Sequence, residues 1–472
     1  MFHLASFDIG AKSWAKASDM VRRLGRGRSW ALDWHHAQED PEPAEDAAVR
    51  RAEAARIRRE RETLPVAVAI LDDPSSVDRQ AGCPLFTLLP AELRELIWEF
   101  ALTRYEVPGT WYPIDSPCAR PGQAASLRVA VELLLTCRAV YLETFLVPFR
   151  VNPLMVYDGH PDVVPPRNVL HFTPSNVRSC KKLRLWQFAN ITSLVLSVQQ
   201  FGLEGGSLEC VSRLAGTKDR HQGRAPTGLF HTDYDSFGPY EDSHALPSGT
   251  SPDPDAAENH SALVRKITMG KRITHLTLQL SRSDWWTWTS KPQDDPHERL
   301  RLEPMMNLTA RRDTASAMER GCEARKEGRQ PDFDLGEFEK QSCWGMQFAE
   351  HWPDLQRLEL ALEVHDIKED QLDSVIRCAK LWTFPLGQGS WLEWDGVKES
   401  VVRWRGAHRY PFDEALGVEW VSDRVPARQA RKDNTPLVRW RPETEERKEG
   451  QEFVIKSLVF KRRCNPGDLA IR

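Results

Sequence analysis

The 472-residue chain has no run of about eighteen apolar residues, the length a membrane-crossing helix needs. Its first residues, MFHLASFDIGAKSW, lack the continuous apolar core of a secretory signal. Lys and Arg recur up to Arg28, as in a mitochondrial presequence, but Asp8, Asp19 and Asp33 break that pattern. An excess of one charge is missing too. The 64 Lys and Arg stand against 68 Asp and Glu, a formal net charge of −4. A dedicated nucleic-acid binder shows a basic excess instead, so no nucleic acid is expected as a partner. The nine cysteines lie at 83, 118, 137, 180, 210, 322, 343, 378 and 464, with no two within four residues. Neither a Cys-x-x-Cys pair nor a Cys/His ligand ladder exists. The expectation is reduced thiols in an intracellular protein, cytoplasmic or nuclear, with no membrane span, metal or cofactor.

Catalytic signatures are equally scarce. No G-x-S-x-G elbow and no H-E-x-x-H helix occurs. GLEGGS (202–207) is Gly-rich but lacks the Lys-Ser/Thr that reaches phosphate and metal in a P-loop, so it reads as a turn. EVHDIKED (363–370) gathers Glu363, His365, Asp366, Glu369 and Asp370 without the spacing or central Gly of a calcium loop. Acidic residues just before Leu372 suit the start of a helix. No residue is assigned a catalytic role, and the chain is expected not to be an enzyme.

What is present suits a folded protein of two or three units, with 40% hydrophobic and 28% charged residues. Residues 1–82 are mostly polar and read as a disordered or loosely helical arm. Within it VRRAEAARIRRERETL (49–64) has six arginines with three interleaved glutamates, a solvated pattern. The first apolar period is LFTLLPAELRELIWEFAL (85–102). Leu93, Leu96, Ile97, Phe100 and Ala101 fall at i, i+3, i+4, i+7 and i+8, which predicts a helix with these residues as its inner face. Pro90 suits its first position and Glu92 its first turn. Trp98 and Leu102 lie off that stripe, on a second apolar face that needs something else to pack against. EVPGTWYPIDSPCARPG follows, its Pro and Gly marking turns around a short hairpin. SLRVAVELLLTCRAVYLETFLVPF then predicts a second helix with Leu133, Cys137, Val140, Tyr141, Thr144 and Phe145 inward, ended by Pro148.

Four later segments share a template: ITSLVLSV (191–198), ITHLTLQL (273–280), LQRLELAL (355–362) and IKSLVFKR (455–462). Each has large apolar residues at positions 1, 4 and 6, and the first three also at position 8. Alternation explains 4, 6 and 8 as a strand. The extra leading residue is like the L-x-x-L-x-L of leucine-rich repeats. The first three segments start 82 residues apart, so any such repeat is irregular and heavily inserted. The four strands are expected side by side in one sheet, with Leu194, Leu276, Leu358 and Leu458 facing one core. Intervening helices argue for parallel pairing. Polar insertions near 217–260 and 421–450 are expected to be disordered. The fold class is α+β or α/β.

Tryptophan is abundant, 17 in all, with Trp285, Trp286 and Trp288 in DWWTW, Trp391 and Trp394 in SWLEW and Trp404 in VRWRG. Such residues cover a sheet with their bulk, form protein-binding hot spots, or line a pocket for sugars or methylated amines. The last leaves a pocket enzyme or sugar-binding protein as an alternative function.

The Leu89-Pro90-x-Glu92-Leu93 start, with Ile97 and Trp98 behind it, resembles the opening of an F-box. LLLTCRAVYLETF (133–145) is similar to the second helix of F-box-like domains found in fungal proteins. The resemblance covers residues 83–150 and implies an F-box-like helical domain, with 151–472 as an irregular leucine-rich-repeat-like domain. It further implies a protein-interaction adaptor that docks on the Skp adaptor of a cullin–RING ubiquitin ligase and recruits a protein substrate. Leu89, Pro90, Trp98 and Leu102 would be the adaptor-facing residues. A scaffold that keeps the fold without the ligase link is the nearest alternative.

Overall fold

A computed structural model describes residues 64–78, 80–111, 121–122, 124–158, 170–172, 183–224, 226, 262–281, 284–285, 299–306, 314–331, 333, 335–406 and 451–464. The polypeptide is of mixed α/β class. A nine-stranded mixed sheet forms its centre, in the order β4-β3-β5-β6-β7-β11-β9-β8, with β10 beside β11. The strands of this sheet are β3 (Leu154–Asp158), β4 (Leu170–Phe172), β5 (Ser193–Val198), β6 (His275–Leu280), β7 (Arg357–His365), β8 (Thr383–Gly387), β9 (Ser390–Trp394), β10 (Ser400–Gly406) and β11 (Gln451–Cys464). A separate hairpin, β1 (Tyr105–Trp111) and β2 (Ala125–Arg128), occupies the turn-rich stretch where the sequence suggested one.

The repeated segments form the centre of the sheet. β5, β6 and β7 run parallel, and the register places Leu194, Leu276 and Leu358 in one row and Leu196, Leu278 and Leu360 in the next. All six are buried in one apolar cluster. The leading residues Ile191, Ile273 and Leu355 are buried in the same cluster. Just after them, Gln356 N–H donates to Thr274 O, and Thr274 N–H to Thr192 O. The template therefore works as a unit: a buried anchor, a turn that bonds to the preceding turn, then an alternating strand.

The fourth segment departs from this. Leu458 joins the same core, but β11 is antiparallel to β7 and pairs Leu458 with Leu360. Its leading residue, Ile455, is half-buried opposite Glu363, on the other face of the sheet. β7, β9 and β10 are all antiparallel to β11, so β9 and β10 keep the direction of β7 while β8 and β11 run against it. At the β8–β9 turn Gln388 and Gly389 both hold positive φ. Two successive positive φ values make a tight hairpin that reverses the chain. From there on the sheet grows by antiparallel pairing.

Helices following β4 bring apolar residues to the leucine face, whereas the earlier helices bury theirs in two smaller clusters, one around Trp98 and Leu102 and one around Phe145 and Trp186. The helices that position the rest of the molecule are α1 (Val66–Asp72), α2 (Ala91–Leu102), α3 (Arg138–Thr144), α4 (Val147–Val151), α5 (Leu185–Ala189), α6 (Ser207–Ala215), α7 (Thr217–His221), α8 (Thr314–Lys326), α9 (Gln347–His351) and α10 (Glu369–Ala379). Glu369 and Asp370 occupy the first turn of α10, as their place in the sequence suggested. Lys456 reaches from β11 to Glu369 and Asp373 of that helix.

Four sequence expectations change. The arm drawn over 1–82 is ordered from residue 64: α1 buries Ala67, Val68 and Ile70, with Ala67 and Val68 packed against Phe145, Trp186 and Ile267. The stretch named as one helix through Phe145 is a 3-10 turn (Val131–Leu135), then α3 with Cys137 as its cap, then α4. Pro148 opens α4 instead of ending a helix, because a first-turn position needs no N–H. The insertion drawn from 217 begins later, since α7 carries a buried arginine. Arg220 donates to the carbonyls of Ala215, Phe188, Ala189, Ile191 and Lys271, and its guanidinium lies 4.9 Å from the Phe188 ring. It fastens the entries to β5 and β6 together. The expected insertion at 421–450 lies outside the described residues.

GLEGGS, read as a turn, is mostly helical: Gly202–Glu204 end a short helix (Gln200–Glu204) and Ser207 opens α6, with the break confined to Gly205 and Gly206, the latter at φ 98°. Among the described cysteines, 83, 137, 322, 378 and 464 are free thiols; 118 and 180 lie outside the described residues.

Candidate docking surface

The helical unit is built around one carboxylate. Pro90 precedes α2 with extended backbone, so the chain enters the helix sharply after Leu89. One turn in, Arg94 donates from Nη1 to Leu89 O at 2.6 Å and grips Glu143 of α3 through Nε and Nη2 at 3.0 and 2.7 Å. One turn further, Trp98 Nε1 donates to the same carboxylate at 2.9 Å. Another turn on, Leu102 is fully buried with Val140 and Val147. Arg94, Trp98 and Leu102 thus form an i, i+4, i+8 stripe that faces α3 and α4. The far end is closed by Asn152, whose Nδ2 donates to Leu102 O and whose Oδ1 accepts from Arg104 N–H. Burial acts against the Glu143 carboxylate, but the Arg94 fork and the Trp98 N–H more than offset it. Its pKa is held below the ordinary carboxylate value.

This arrangement reverses the faces read from the sequence. Trp98 is 4% exposed and Leu102 0%, so the two residues named as partner-facing are core. Leu89 is half-buried and Pro90 exposed. The stripe named as core faces outward instead: Phe100 is 88% exposed, Leu96 61%, Leu93 48% and Ile97 41%. The physical reason is that Trp98 and Arg94 both carry N–H donors aimed at Glu143. A buried aromatic with a satisfied polar tip and an arginine fork bind α3 more specifically than aliphatic side chains do. Sequence periodicity scores carbon content and misses that hydrogen bond. One signal was present: Arg94, Trp98 and Leu102 stand at exact one-turn spacing, which invites an acidic partner.

The outward face of α2 is therefore four large apolar residues along about two turns. Leu88, just ahead of the helix, is exposed as well. One edge of this face carries Glu92 and Glu99, while Glu95 turns toward α4, where Arg150 lies at 3.7 Å. A lone exposed leucine is unremarkable, but a contiguous apolar stripe on an exposed helix marks an interaction surface.

The tryptophans take structural positions where they are described. Trp285, Trp344, Trp352 and Trp382 are buried in the main core. Trp285 donates to Glu363 O and Trp344 to Glu303 O. Trp394 stacks under Lys380, 5.1 Å from the ring centre, and Trp404 donates to Glu363 Oε1. Trp286 and Trp288 lie outside the described residues. Among the described residues no helix is long and apolar enough to cross a membrane.

Comparison with protein families, with curated proteins and with solved structures finds no match.

Proposed function

We propose that this protein is an interaction adaptor that docks a helical protein partner on the outward face of α2, in the manner of an F-box-like subunit. The observation that carries the reading is the exposure of Leu93, Leu96, Ile97 and Phe100 on a helix already anchored from behind by Trp98 and Leu102. A helix pinned on one face and apolar on the other is built for a helix-in-groove contact with i, i+3, i+4, i+7 anchors. Glu92 and Glu99 set an acidic rim, which fits a partner whose apolar groove is edged by basic residues. The Leu89-Pro90-x-Glu92 start supports a Skp-type adaptor of a cullin–RING ligase as that partner. The sheet region would then present the substrate, and no chemistry is assigned to the chain itself.

The partner-facing set is revised accordingly: Leu93, Leu96, Ile97 and Phe100 replace Trp98 and Leu102. The test is co-purification of a purified Skp-type adaptor with the full-length protein, wild type and Leu96→Glu. Binding by the wild type and its loss in Leu96→Glu, with an unchanged melting temperature, supports the reading. A wild-type protein that does not bind the adaptor removes the ligase link and leaves a scaffold.

A further inference from the structure

A second feature lies outside the helical unit. At the edge of the sheet where β5, β6 and β7 begin, a cleft of about 490 Å³ opens between α7, α9 and the β8–β9 turn. Three separate chain segments bring nitrogen donors to it: Lys218 and His221 from α7, Arg272 from the loop before β6, and Arg462 from β11. Leu386 and Pro353 supply apolar wall.

The charges in this cleft do not balance. It is lined by two carboxylates, Asp354 and Glu350. Asp354 is spoken for: Oδ2 lies 3.0 Å from His221 Nδ1, and Oδ1 accepts from Arg272 Nη1 at 3.1 Å. The Glu350 side chain is 71% exposed and forms no ion pair with a cation of the cleft among the described residues, so Lys218, Arg272 and Arg462 exceed the two carboxylates by one charge. Among the described residues Lys218 and Arg462 form no ion pair. Arg462 is held in place by neutral oxygens, Pro353 O at 3.0 Å and Ser390 Oγ at 2.9 Å. Those two bonds use two of the five N–H groups of a guanidinium. Its charge is fixed in position without being neutralised.

We propose that this cleft binds a phosphate group. A single carboxylate would answer one of the two unpaired cations; a phosphate carries nearly two charges and three acceptor oxygens. Its oxygens can meet donors arriving from several directions, as Lys218, Arg272 and Arg462 do here. The low-dielectric wall of Leu386 and Pro353 strengthens each of these contacts relative to open solvent. The phosphate can be free or carried on a chain, and the same donors serve either. Since the cleft is remote in sequence from α2, its ligand does not depend on which protein that helix docks.

The experiment is calorimetric titration of the full-length protein at constant ionic strength with inorganic phosphate, a phosphoserine tripeptide and acetate. Saturable binding of phosphate, absent for acetate, is the expected result. Lys218→Glu, an exposed position, should weaken it at least about tenfold, the loss of one charge-assisted contact. Arg272→Ala should do the same and is checked alongside by its melting temperature. Tighter binding of the tripeptide than of free phosphate assigns the phosphate to a chain; equal or weaker binding assigns it to a free ligand. No saturable heat with either phosphate source, acetate binding as well as phosphate, or affinity unchanged in both variants overturns the proposal.

Discussion

The β5–β7 strands and helix α2 both carry a regular stripe of large aliphatic residues, yet one stripe is buried and the other faces outward. In the strands, Leu276, Leu278 and Leu280 each have a leucine of β7 beside them in register, and helices lie across that face. In α2, Leu93, Leu96 and Ile97 have no such layer, while Trp98 and Leu102 take the inward side. Periodicity tells which residues share a face. It does not tell which of two faces the rest of the chain covers. A hydrogen-bond acceptor on the neighbouring helix, Glu143, decides that for α2.

The largest break in this comparison should come from the inward stripe. Trp98→Ala removes a buried indole and leaves Glu143 with one partner fewer. A loss of about 3–5 kcal/mol in chemical denaturation is expected, the usual range for an aromatic deleted from a core. A loss under about 1 kcal/mol would mean that the helix is held by something other than Trp98.

Leu278→Ala tests the other region. The residue is fully buried between Leu196 and Leu360 in the central rows of the sheet. About 2–5 kcal/mol should be lost. If the change is silent, the three parallel units do not share one core.

Much of the sheet was legible because its signal is local and repeated. An anchor residue, a two-residue step and a strand recur at constant spacing, and their registry follows from burying identical positions together. The antiparallel fourth strand was less legible, since its apolar residues at 455, 458 and 460 follow the same template as the parallel segments and carry no mark of strand direction. Arg220 escaped notice because its partners are five backbone carbonyls, which leave no mark in a sequence, and because it sits in a polar stretch composed like a loop. Helix α2 was found, but with its faces exchanged. The cationic cleft was not legible at all, since Lys218, Arg272 and Arg462 meet through tertiary folding alone.

A smaller effect sharpens the role of Glu143. Its folded pKa is depressed, so its stabilisation is present above the unfolded carboxylate value of about 4.3 and fades as pH falls through the lower folded value. Glu143→Gln keeps the shape but cannot titrate. Wild type should therefore lose more stability than the variant as pH falls below about 4.3. Other depressed carboxylates, such as Glu369 and Glu399, are common to both proteins and cancel in the difference. Parallel acid titrations of the two would show that Glu143 is not the pin of the helical unit.

The smallest effect on stability is the most informative for function. Ile97→Ala and Phe100→Ala alter side chains that are 41% and 88% exposed, so each should change folding stability by no more than about 0.5 kcal/mol. Had this stripe been the core, as the periodicity of the sequence suggested, Ile97→Ala alone would cost about 2–5 kcal/mol. The same two changes should weaken docking of a helical partner by about 2 kcal/mol or more where either residue is a hot spot. Stability and binding then separate cleanly on one helix: Trp98 governs the first and Phe100 the second. Denaturation curves and partner titrations on Trp98→Ala, Ile97→Ala and Phe100→Ala read both quantities from the same three proteins. A destabilising Ile97→Ala would return the aliphatic stripe to the interior, and a Phe100→Ala that binds as wild type does would take the docking role away from this face.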